Sequence, residues 1–153
     1  MQLSEVFLSL GEDVFSQLLR QISIGKLKTY QLYEGFKTRA HLAKVNTESL
    51  RKGTQRFWAR LTEHDEDFAK ELAQAVLISH LDMIKAVLDF LEIPNQEGFF
   101  DKNLEAAKYL TEGWQSRVYD KFRGVYPEPV LRLYINHLGW ELAKSDQLFT
   151  PAA

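Results

Sequence analysis

Cysteine is absent from the 153 residues, which excludes disulfides, zinc–thiolate centres, iron–sulfur clusters and a thiol nucleophile. Proline occurs only four times and glycine eight, too little of either for a collagen-like or loop-dominated chain. No apolar run reaches the roughly 18 residues a membrane span needs, and no Lys or Arg precedes Arg20 to open a secretory leader. These features lead to the expectation of a cytoplasmic protein with no membrane contact. Neither sign of charge dominates. Nineteen basic side chains meet 21 acidic ones for a net charge of −2, and a pI near 6.1 argues against a dedicated nucleic-acid binder, whose domain is usually basic as a whole. Motifs with a known mechanism are missing too. There is no glycine-rich phosphate loop, no Gly-x-Ser-x-Gly elbow, no His-Glu-x-x-His, no calcium loop and no Glu-x-x-His of paired-iron bundles. No reaction follows from the sequence.

What is present is helical periodicity. With 45% apolar residues, a chain of this length buries enough surface for a core without staples. Leu3, Val6, Phe7, Leu10, Val14, Leu18 and Ile22 recur at three- and four-residue steps, predicting one amphipathic helix over about 3–21. A second is expected over about 27–44 and a third over about 48–62, with Leu50, Thr54, Phe57, Trp58 and Leu61 on one side. Asp65 is placed to cap a long fourth helix to about residue 91, its first-turn acids Glu66, Asp67 and Glu71 favoured by the helix dipole. Pro94 ends that helix, and a loop of about ten residues follows. Beyond it a helix runs to Phe122 with Gly113 marking a kink or a division in two. Gly124 suits a C-terminal cap, and Pro127 and Pro129 open a last helix to about residue 144. The sequence thus predicts an all-α, single-domain bundle over 1–148 of about five or six helices around a central apolar helix near 65–91, with a frayed tail over 149–153.

Two helices carry polar residues where a core stripe is expected. On a projection of about 100° per residue, Lys85 and Asp89 share one charged stripe with Asp82, and His80 falls on the opposite, most apolar side. In the last helix His137 and Glu141 stand four apart beside Tyr134, inside the apolar arc of Val130, Leu131, Leu138 and Leu142. If the two helices pack together, His80, His137, Glu141 and Tyr134 form a ligand pocket. Two imidazoles and a carboxylate suit iron or zinc as a metal set, or an acid–base pair. The competing reading is structural, with buried His and Glu serving to satisfy each other.

Charge is segregated along the chain. Residues 26–60 hold nine basic groups against Glu34 and Glu48, net +7, and residues 61–105 hold eleven acids against three lysines, net −8. Lys52, Arg56 and Arg60 repeat every fourth residue, a like-charge spacing that weakens a helix and calls for a compensator. The downstream acids, a protein partner (a second copy included) and phosphates are the three candidates. The 38–61 segment matches a helix-turn-helix only loosely, since its turn lacks glycine. Trp140 lies off the apolar stripe and is expected at an interface, while Phe99 and Phe100 are expected to plug the core from their loop. The leading expectation is a non-catalytic interaction or self-associating module. A small-molecule or metal-binding bundle, with an enzyme among its forms, comes second, and weak nucleic-acid binding third.

Overall fold

The computed structural model describes residues 3–22, 47–145 and 147–151, with the backbone alone for 47–51. Among the described residues there are eight helices and no strand, so the fold is all-α. They are α1 (Leu3–Ser9), α2 (Glu12–Leu19), α3 (Thr47–Thr62), α4 (Glu66–Ile78), α5 (Leu81–Phe90), α6 (Ala106–Tyr109), α7 (Trp114–Phe122) and α8 (Glu128–Ala143). The helix expected over 27–44 lies outside the described residues. The chain divides into two compact units, Gln2–Ser79 and His80–Ala153.

In the first unit α1 packs on α3 and α4, and α2 on α3. Phe7, Phe15, Leu18, Leu61, Phe68 and Leu72 are fully enclosed there, with Phe7 against Phe15 and Phe57 against Phe68 as edge-on rings. The single helix expected over 3–21 is broken. Gly11 takes φ 82 and ψ 155, a conformation essentially restricted to glycine, and the chain restarts as α2. The apolar periodicity survives the break because Phe15, Leu18 and Leu19 still face the core.

The helix expected over 65–91 is also two helices. Asp65 caps α4 as anticipated, its carboxylate accepting from the Phe68 amide at 3.1 Å. At the other end Ser79 Oγ donates back to the Ala75 carbonyl at 2.7 Å while its amide turns to Val76 at 3.2 Å. That side-chain bond competes with the backbone ladder and tightens the last turn. His80 then leaves helical geometry at φ −133.

In the second unit α8 packs against α6 and α7, and Val130, Leu131, Leu133, Leu138, Val118 and Met83 are buried. Gly113, at φ 78, separates α6 from α7. The tail expected to fray from residue 149 is instead pinned there. Buried Asn136 donates to the Phe149 carbonyl at 3.2 Å and accepts its amide at 2.7 Å, and the Phe149 ring lies 5.9 Å from Tyr119.

Candidate functional site

The last helix delivers the pair that its spacing promises. His137 Nδ1 lies 3.2 Å from Glu141 Oε2, with both side chains less than a fifth exposed. The two groups stand in close polar contact, although the geometry falls short of a well-aligned hydrogen bond. Lys102 reaches Glu141 Oε1 from the loop before α6 at 3.2 Å. The His137 ring first, and Lys102 after it, hold the Glu141 carboxyl below its ordinary range against the opposing effect of burial. One turn earlier Tyr134 is enclosed, its hydroxyl without a hydrogen-bond partner. Burial, and then the Glu141 charge, push that phenol far up, so it can donate a hydrogen bond but does not ionise. His137 also meets the half-exposed Trp140 ring edge-on at 6.3 Å.

His80 does not complete a metal set. Among the described residues no group of three or more His, Asp or Glu side chains could hold a metal ion, so the proposed trio of His80, His137 and Glu141 fails as a transition-metal site. The cause is the break at Ser79. His80 thereby stands part-exposed at the N-cap position of α5, outside the helical geometry that its projection assumed.

Among the described residues the basic stripe is partly neutralised. Arg60 donates to Asp65 Oδ2 from Nε at 3.2 Å and Nη2 at 2.9 Å and lies 4.1 Å over the Phe68 ring. Its compensator is therefore the downstream acid. Lys52 and Arg56 are exposed, and no ion pair with either is formed among the described residues. On α5 the Lys85–Asp89 pair forms at 2.9 Å.

Three further constellations escaped sequence reasoning. Glu66 accepts the amides of Leu3 and Ser4 at 2.9 and 3.1 Å and the Ser4 hydroxyl as well, while Ser4 Oγ lies 3.2 Å from His64 Nδ1. Serine, histidine and glutamate are residue types of hydrolytic triads. Here, however, the hydroxyl donates to the carboxylate and Ser4 is completely buried, so the network fastens the start of α1 to α4. Partners 60 or more residues from Leu3 and Ser4 leave no local signal.

The second is the loop after α5. Gln96 and Phe99 exchange two backbone hydrogen bonds of 2.8 and 3.0 Å around Glu97 and Gly98, both at positive φ, the signature of a tight type I′ turn. Asn95 braces it by donating to Asp89 at 2.9 Å and accepting the Gly98 amide at 3.1 Å. The expectation that this aromatic pair plugs the core fails for Phe99, which is 65% exposed. A shallow groove of about 470 Å³ runs beside it, lined by Pro94, Asn95, Gln96, Phe99, Phe100 and Asp101. The third is a cleft near α6 and α7, lined by Phe90, Leu91, Glu92, Lys108, Tyr109, Thr111 and Arg117. The chain matches no protein-family model, curated protein or solved structure.

Proposed function

We propose that the chain is a non-catalytic interaction module of the cytoplasm that docks onto a partner protein through the loop after α5. The observation that carries this reading is Phe99, held in water on a turn whose backbone is already fixed. Burying a phenylalanine contributes about 1.5–3 kcal/mol, and the loop forgoes that while spending four hydrogen bonds on its own shape. A preordered aromatic is what an interface anchor requires, since little conformational entropy is lost on docking. Exposed Glu92, Glu97 and Asp101 flank the ring in sequence. The fitting partner is therefore an apolar pocket rimmed by Lys and Arg.

A photoreactive phenylalanine at position 99, introduced in cells, tests this. The expected result is one defined crosslinked protein whose binding to the purified chain weakens at least about tenfold with Phe99→Ser or Glu97→Lys and declines with salt. Binding indifferent to both substitutions refutes the reading. A second copy of the chain is the other reading, favoured by matched spacing. Lys52 and Arg56 on α3, and Asp67 and Glu71 on α4, are exposed, each pair one i,i+4 step apart. In a two-fold dimer each pair would meet the other's counterpart. Exposed pairs contribute about 0.2–1 kcal/mol apiece, so such a dimer is weak and dissolves in salt.

A further inference from the structure

The cleft of about 450 Å³ in the second unit is lined by two cations, Lys108 and Arg117, one acid, Glu92, the rings of Phe90 and Tyr109, and Thr111. We propose that it binds a small planar molecule carrying one oxyanion group, a carboxylate or a phosphate ester. Its volume lies within the roughly 300–1,000 Å³ of small-molecule sites.

Arg117 is held in place by neutral groups. Its Nη1 donates to the Glu112 carbonyl and its Nη2 to Thr111 Oγ1, each at 2.7 Å. Both acceptors are neutral. They fix the guanidinium in place without cancelling its charge, and no carboxylate stands within ion-pair distance of it among the described residues. A guanidinium has about five N–H donors in one planar fork, so those left over can meet an oxyanion side-on, the geometry in which arginine exceeds lysine. Gly113, at φ 78, turns the backbone between the two acceptors and α7, a conformation that L side chains rarely adopt.

Lys108 supplies a second, exposed cation whose side chain makes no hydrogen bond among the described residues and lies 5.6 Å over the Tyr109 ring. Two unneutralised cations at one cleft repel each other, and an anion between them relieves that repulsion. Phe90 is 39% exposed although its ring packs edge-on against Phe122 at 5.7 Å, which leaves an apolar wall for a flat ligand body. Glu92, held at φ 59, disfavours a second anionic end, which selects a ligand charged at one end only. Phe99 does not line this cleft, so loss of partner binding in Phe99→Ser would leave it intact.

The test is an NMR titration of the ¹⁵N-labelled full chain with phenyl phosphate, benzoate and inorganic phosphate. Saturable shifts are expected for amides over 108–117, with at least one aromatic anion binding about tenfold tighter than inorganic phosphate. Preference for phenyl phosphate assigns a phosphate ester, and preference for benzoate a carboxylate. Lys108→Gln and Arg117→Gln should each weaken binding about tenfold, and Glu92→Gln should tighten it. Lys108→Gln breaks no hydrogen bond, so it stays informative should Arg117→Gln loosen the turn. Absence of saturable shifts up to about 10 mM, or binding unchanged in both cation variants, overturns the proposal. Equal affinity for inorganic phosphate overturns its planar part.

Discussion

Asp65 satisfies two demands with one carboxylate. Oδ1 accepts from the Phe68 amide and Oδ2 takes Arg60. The capping amide first, and the guanidinium second, lower its pKa. Asp65→Ala removes a helix cap and should cost about 1 kcal/mol, read as a lower midpoint in urea, whereas the exposed Asp67→Ala should stay within about 0.5 kcal/mol. Glu141 carries the acid dependence. A carboxyl whose folded pKa lies below its unfolded value, about 4.3, contributes stability that is fully present above that value and lost as pH falls through the folded pKa. The groups facing it are His137, Lys102 and Tyr134. The stability gap between the parent and Glu141→Gln should therefore be present at about pH 5 and close as pH drops below about 4, measured by denaturant melts at each pH. Residues of this kind are legible in sequence when their partners are three or four positions away, as Asp65 with Phe68 and His137 with Glu141. Ser4 with Glu66 is not, because tertiary packing alone brings residues 62 positions apart together.

Helix existence follows from periodicity, but helix continuity does not. The stripe through Leu3, Phe7, Phe15 and Leu18 keeps its phase across the break, since a two-residue interruption at Leu10 and Gly11 still returns Phe15 to the buried side. Glycine also occurs inside unbroken helices, Gly139 in α8 among them, so composition does not decide the matter. Backbone conformation does. An added Cβ at Gly11 meets nothing within 4 Å, so any penalty for Gly11→Ala comes from its φ of 82. A loss of about 1–3 kcal/mol is expected. Gly139→Ala combines better helix propensity with a Cβ only 3.3 Å from the Trp114 ring, so its loss should be smaller than that at Gly11 if the ring yields. Thermal unfolding of the two variants side by side separates backbone strain from crowding. The division at Ser79 is harder to foresee than that at Gly113. Its cause is a hydroxyl choosing the Ala75 carbonyl, and most serines in apolar helices make that bond without ending them.

At the scale of the whole molecule, the all-α class is readable because apolar spacing near 3.6 and proline or glycine punctuation repeat along the chain, each occurrence reinforcing the last. The charge tally is equally readable, but its compensation is not. Of the stripe Lys52, Arg56 and Arg60, only Arg60 is answered within the described residues, and that follows from the tight turn bringing Asp65 back to it. Arg56 thus stands between two like charges at i−4 and i+4. Arg56→Glu turns two repulsions into two attractions, and with each lost repulsion and each gained attraction at about 0.2–0.5 kcal/mol the fold should gain about 0.8–2 kcal/mol at low salt. That gain should vanish near 1 M salt, where the Debye length is about 3 Å. Self-association moves the other way. If the stripe meets Asp67 and Glu71 of a second copy, the same substitution places like charges opposite each other and abolishes any dimer seen by light scattering at low salt. A variant that is more stable yet less associated marks the stripe as an interface held at a cost to the fold, and a variant that gains stability with association unchanged removes the second copy from consideration.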